Sequence, residues 1–186
     1  MARLQEKYRR EVVPALQQEL SRKNPFAIPR LTKIVVSMGL GKAVAEGGNK
    51  SRENKRFTEA EAHLATITGQ KPLVTKARKA VSNFKVREGW DVGVKVTLRG
   101  TRMFEFLDRL IMLAIPRVRD FRGLDPGSFD GRGNYGLGLS EYGVFPEIHP
   151  DQITYQQGMN VTICTSAGND AEARRLLTLL GMPFRS

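Results

Sequence analysis

Nine lysines and arginines fall between Lys71 and Arg102 (Lys71, Lys76, Arg78, Lys79, Lys85, Arg87, Lys95, Arg99 and Arg102), against two acids, Glu88 and Asp91. The chemistry open to such a set is the binding of a polyanion. Concentrated positive charge repels itself, and it is stabilised when it displaces condensed counterions from phosphates. The cations are interleaved with Phe84, Trp90 and alternating valines, so they belong to a folded surface and not to a tail. Nucleic acid is the implied partner.

The catalytic signals are poorer. Gly39-Leu40-Gly41-Lys42 follows an apolar run as a phosphate-binding loop would, but the rest of the Walker spacing and its Ser/Thr are missing. His63 falls in a helical pattern and His149 beside Pro150. With the single Cys164, they form no ligand spacing of a known metal site. Ser140-Glu141, Asp125 and Asp130 have no histidine close in sequence. The expectation is no enzyme, no cofactor, no metal and no small-molecule substrate.

The elements that must position the cations follow from periodicity. Leu4, Tyr8, Val12, Leu16 and Leu20 predict a helix over 4–20 that Pro14 turns or kinks. Asn24-Pro25 and Ile28-Pro29 mark a loop, and a strand is expected over 31–38, ended by Gly39-Leu40-Gly41. Residues 42–57 have no period and read as a polar surface loop. A helix from Glu59 to Thr68 is expected, with Thr58 and Glu61 in capping-box spacing and Gly69 as its stop. The run 92–99 alternates as a strand, and an amphipathic helix follows over 102–114, with Met103, Leu107, Leu110, Ile111 and Ala114 inward. The Gly-rich stretch 127–138 reads as a loop, followed by strand candidates near 142–148, 152–157 and 159–166. A last helix opens at Asn169 and stops at Gly181. Connections between the later strands are too short for parallel crossovers. The fold class is therefore α+β: a single domain, largely antiparallel, with helices packed on one face of the sheet and an open RNA-binding face.

If the strands at 31–38 and 92–99 share that sheet, Ile34, Val36 and Met38 match the valine face. Lys33, Val35 and Ser37 then stand with Lys95, Thr97 and Arg99, giving cations for phosphates and small hydroxyls for sugars or base edges. Exposed aromatic pairs for base stacking are missing from this platform. The same pattern suits an ordinary solvated sheet face. The basic run within 73–88 reads instead as a protruding finger that meets a nucleic-acid backbone by charge.

The chain has 186 residues, 40% of them apolar, and a net charge of +11. Residues 1–102 hold 22 basic and 9 acidic side chains, whereas residues 103–186 hold 8 and 10. One portion therefore carries the whole excess, as expected of one binding surface and one supporting part. A single cysteine fits a reducing compartment, no apolar run reaches the ~20 residues of a membrane span, and the start lacks a secretion signal. A cytoplasmic protein without membrane contact is expected.

Several stretches together carry a resemblance: RLTKIVVSMGLG (30–41), ITGQKPLVTKARKAVSNFKVREG (67–89), GVKVTLRGTRMFEFLDRLI (93–111), PRVRDFRGLDPGSFDGRGNYGLG (116–138), VFPEI (144–148) and ARRLLTLLGMPF (173–184). In this order the chain resembles the bacterial ribosomal proteins that bind 5S rRNA, the fifth of the large-subunit series. The resemblance implies a structural protein of the central protuberance. Its rRNA-binding positions would be Lys33, Ser37, Gln70 and Thr97, with Lys95 and Arg99 beside them on the strand face. At Ser37 the family usually has Asn, an amide where this chain offers a shorter hydroxyl. The finger, with Thr75, Lys76, Arg78, Lys79, Ser82 and Asn83, corresponds to the family's contact with the P-site tRNA. The implied partners also include 23S rRNA, neighbouring ribosomal proteins, and a small-subunit head protein facing residues 127–142 across a subunit bridge. A stand-alone RNA chaperone or assembly factor is the alternative, and a nucleotide-dependent enzyme using Gly39–Lys42 a more distant third.

Overall fold

The computed structural model describes residues 2–41, 43, 44 and 55–185. The chain is α+β with an antiparallel sheet. Its strands are β1 (Leu31–Gly39), β2 (Leu73–Lys76), β3 (Asp91–Leu98), β4 (Tyr135–Leu139) and β5 (Met159–Thr165), hydrogen-bonded in the order β2-β3-β1-β5-β4. The helices are α1 (Arg3–Lys7), α2 (Val13–Glu19), α3 (Lys55–Thr68), α4 (Gly100–Arg109) and α5 (Asp170–Leu180). Packing within this fold falls into two compact units: residues 1–35, 98–137 and 161–186, and residues 36–97 with 138–160.

In the first unit, the predicted helix over 4–20 forms without a break. Pro14 cannot donate to the carbonyl four residues back, and the turn before it, Tyr8–Val12, widens to a π-helix before α2 resumes. The same device recurs ahead of Pro116, where α4 passes into a π-helical Leu110–Ala114 and then a 3₁₀ turn. Met103, Leu107, Leu110, Ile111 and Ala114 are all buried, as their spacing predicts, and Phe104 and Phe106 join them. Asn169 caps α5 by accepting the Glu172 amide at 2.8 Å, and Gly181 closes it at φ +106°. Ion pairs tie this unit together, among them Arg3 to Asp108 at 2.6 Å, Arg22 to Glu172 at 2.7 Å, and Arg175 to Glu19.

Several boundaries differ from the sequence reading. Tyr135–Leu139 is a strand, not the end of a loop: Tyr135 and Leu139 are buried at alternate positions, and the intervening Gly136 and Gly138 concealed the alternation. Among the described residues no strand forms near 142–148 or 152–157. Tyr142–Val144 and Pro150–Gln152 are 3₁₀ turns, with Pro150 fixing the second. The apolar residues Tyr142, Phe145 and Ile148 are buried from irregular backbone, so an apolar run alone did not mean a ladder.

In the second unit, α3 is already helical at Lys55, so Thr58 is interior and is not its cap. Phe57, Ala60, Leu64 and Ile67 are its buried stripe, and Gly69, at φ +64°, ends it. The aperiodic loop expected over 42–57 is thus shortened from that end. Ala43 and Val44 are helical and buried, and positions 42 and 45–54 lie outside the described residues.

The buried His63 belongs to a hydrogen-bonded knot. Its Nδ1 lies 2.9 Å from the Tyr142 hydroxyl, which donates to Glu59 at 3.1 Å. Burial alone would raise the Glu59 carboxyl. Donation from the amides of Thr154 (2.9 Å) and Tyr155, and from Tyr142, overrides this and holds it below its ordinary value of 4.5. Burial and the Glu59 carboxylate push the Tyr142 hydroxyl upward. A depressed carboxylate adds stability above its unfolded pKa and loses it as pH falls through the folded value. Glu59→Gln is therefore expected to destabilise by about 1 kcal/mol at neutral pH. The difference from the parent should shrink as denaturant melts are repeated below pH 4.5.

Candidate nucleic-acid interface

The strands sort the candidate residues by their pleat. Along β1, Ile34, Val36 and Met38 are buried, while Lys33, Val35 and Ser37 are half-exposed. Along β3, Val94, Val96 and Leu98 are buried, Lys95 is exposed and Thr97 half-buried. The alternation read from sequence is thus the alternation of burial, except at the start of β3, where Val92 is half-exposed and Gly93 is buried. Lys33 and Arg99 belong to the first unit; Ser37, Gln70, Lys95 and Thr97 belong to the second.

In the second unit β2 runs antiparallel to β3, with Leu73 opposite Lys95 and Thr75 opposite Gly93. Directly opposed residues share a face, so Leu73 and Thr75 join Lys95 and Thr97 on its polar side. Leu73 is 62% exposed, an apolar patch beside a lysine, and it lies in a strand, where the sequence reading had only the start of the finger. Gly93 is needed on this face for close approach: a Cβ there would lie 2.6 Å from the Met38 carbonyl and 3.2 Å from the Thr75 hydroxyl. Gln70 is half-exposed just ahead of β2, its carbonyl accepting from the Thr68 hydroxyl at 3.2 Å.

The basic finger is a hairpin extension, closed twice by backbone. At its base Ala77 N donates to Trp90 O (2.8 Å) and Gly89 N to Ala77 O (3.0 Å). Near its tip Val81 and Val86 exchange bonds of 2.9 and 3.2 Å. Between them Ser82–Phe84 make a 3₁₀ turn, and Lys85 takes the left-handed conformation at φ +51°. The candidate residues therefore divide. Thr75 lies in the sheet, Lys76 ends β2 opposite Asp91, Arg78 and Lys79 are exposed along the shaft, and Ser82 and Asn83 are exposed at the tip. Phe84, absent from the sequence-derived set, is 71% exposed there. Arg87 lies over the Trp90 ring at 5.8 Å and braces the base.

The electrostatics separate these cations from those that hold the fold. Arg3, Arg22, Arg175 and Arg185 each have a carboxylate. Among the described residues, none serves Lys33, Lys95, Arg99, Arg78 or Lys79. Unpaired cations along two strands and a hairpin are suited to phosphates that come from outside the chain. The loop at Gly39 has other work: the Leu40 amide donates to Val92 O at 2.9 Å, and Leu40 is buried. Among the described residues no group of three His, Cys, Asp or Glu could hold a metal ion, and no helix is long and apolar enough to cross a membrane.

Comparison with known proteins gives the family of the chain. Residues 24–87 match the family model of ribosomal protein L5, and residues 91–184 match the model of that ribosomal family's C-terminus. The chain belongs to the ribosomal protein L5 family. It is 56% identical over 182 residues to the large ribosomal subunit protein uL5 of Thermotoga maritima, covering 98% of this chain and 95% of that one. It is 54% identical over 185 residues to the uL5 of Rubrobacter xylanophilus, covering 100% and 99%. Members of the L5 family are structural proteins of the large ribosomal subunit, and this chain is one, with the ribosome as its location and no enzymatic role.

Gly93→Ala tests the close approach. Because the obstacle is backbone, the strands must shift, and a loss of about 1–3 kcal/mol is expected in denaturant melts, as for other overpacked sites. An unchanged melt would mean that β1 and β3 are not held this tightly at Met38.

Proposed function

We propose that this member of the L5 family anchors 5S rRNA through the polar faces of β1 and β3 and touches the P-site tRNA with its hairpin. The observation that carries this reading is the set of cations on these elements that have no carboxylate among the described residues. Lys33, Lys95 and Arg99 contact rRNA phosphates, while Ser37, Gln70 and Thr97 supply hydroxyls and an amide for sugars or base edges. Half-burial suits such a role, because it fixes rotamers before the RNA arrives. Ser37, where the family usually has Asn, makes a shorter contact from the same strand position.

The finger's roles follow from its shape. Lys76, Arg78 and Lys79 lie at the end of β2 and along the shaft and meet a tRNA backbone by charge; Thr75 steadies the base; Ser82 and Asn83 reach from the tip. The Gly-rich loop faces a small-subunit head protein, and its rigidity supports that assignment. Asp130 accepts from the Arg132 and Asn134 amides at 2.9 and 3.0 Å, and Asp170 accepts from Gly131 and Gly133. Arg132 is thereby presented to solvent on a fixed loop. Contacts with 23S rRNA and neighbouring proteins complete the assembly.

Two substitutions separate platform from finger. Thr97→Val keeps shape and charge and deletes one hydroxyl. A loss of about 1 kcal/mol in 5S rRNA affinity is expected in filter binding. Changing Lys76, Arg78 and Lys79 together to Gln should leave 5S rRNA binding within about twofold and weaken P-site tRNA retention on ribosomes, most at low salt. The opposite result, a tenfold loss of 5S rRNA with normal tRNA retention, would reassign the finger to the anchor.

A further inference from the structure

The turn between α2 and β1 holds a feature that neither the strand faces nor the finger explains. From Leu20 to Lys33 the chain carries Arg22, Lys23, Arg30 and Lys33 and no acid. In the middle stands Phe26, 90% exposed, the most exposed large apolar side chain among the described residues. Its backbone is pinned from every side. The Asn24 side chain accepts the Phe26 amide at 2.9 Å, and Arg22, itself clamped by Glu172, donates to Ala27 O at 3.0 Å. The Tyr8 hydroxyl donates to Pro29 O at 3.1 Å, and Ile28 is buried. Pro25 and Pro29 fix their own φ angles. An aromatic ring left in water contributes nothing to the fold, yet this one is held on a backbone whose freedom has already been removed. Docking against such a ring therefore orders little more of the chain.

We propose that Phe26 is a stacking platform for an unpaired or helix-terminal nucleobase of ribosomal RNA, with Lys23 and Arg30 taking the flanking phosphates. The charge selects the occupant. Lys23 and Arg30 have no carboxylate partner among the described residues, and a protein pocket built for Phe26 would have to accommodate them without phosphate. Every base presents a π-face, so a lone ring between cations suits RNA of unspecified sequence. This platform also supplies the aromatic surface that the polar faces of β1 and β3 lack. The proposal rests on the reading of the chain as an rRNA-binding protein and adds a contact outside the residues named for it.

The test is photocrosslinking at short ultraviolet wavelength followed by peptide mass spectrometry. One arm uses the full chain with isolated 5S rRNA; the other uses large subunits carrying the chain. A nucleotide adduct on Phe26 is expected in at least one arm: the 5S arm identifies 5S rRNA, and the subunit arm alone identifies 23S rRNA. In the positive arm Phe26→Ala should weaken RNA association between about fivefold and a hundredfold, and Phe26→Trp should stay within about twofold of the parent. The ring is exposed, so thermal melts of both variants should match the parent. No adduct in either arm, an adduct only to protein, or full association by Phe26→Ala would overturn the proposal. If the parent fails to bind 5S rRNA, the assignment of β1 and β3 to that RNA falls, while the subunit arm still decides Phe26.

Discussion

Whether a cation finds a carboxylate inside the chain governs how the rest of this structure can be used. Arg3, Arg22 and Arg175 are each consumed by a partner more than a hundred residues away in sequence; the pairs of Arg3 and Arg175 fasten helix to helix within the first unit, and that of Arg22 fastens the turn after α2 to α5. The exposed pairs of Arg3 and Arg175 are screened by solvent, so they orient more than they stabilise. Lys33, Lys95, Arg99, Arg78 and Lys79 receive no such neutralisation among the described residues. Their mutual repulsion is tolerable because rigid strands, stabilised by their buried valines, hold Lys33 and Lys95, and the hairpin and the start of α4 hold the others apart. It becomes favourable once a phosphate chain releases its counterions.

The backbone makes that arrangement possible. Gly93 lets β3 approach the Met38 carbonyl of β1, closer than any side chain would allow. Paired opposite it, Thr75 starts the hairpin whose shaft carries the finger cations. The second closure at Val81 and Val86 keeps the tip from collapsing back, and so the cations stay spread along a shaft.

Much of this was readable in the sequence, because the helices and central strands are strongly periodic. The stripe from Met103 to Ala114, the alternation in β1 and β3, and the Asn169 cap each follow from one local rule. What the sequence concealed has equally local causes. Two glycines erased the alternation of β4, and buried aromatics at Tyr142 and Phe145 imitated a strand where the chain only turns. The cap expected at Thr58 fell inside a longer helix, since Phe57 already extends the buried stripe. At the interface, charge and hydroxyl positions were visible by residue type, but Leu73 and Phe84 were not. Their exposure depends on pairing and turn geometry, and the reading of 73–88 as a finger rested on its cations alone.

The central claim is that cations left unpaired on β1 and β3 meet RNA phosphates. The salt dependence of 5S rRNA affinity tests it most directly, for the parent and for a Lys33→Gln/Lys95→Gln double variant. The account predicts that log affinity falls linearly with log salt, and that the double variant lowers this slope by about two, roughly one per phosphate contact removed. An unchanged slope, with affinity retained at every salt concentration, would show that these lysines face solvent in the complex and that the anchor lies elsewhere.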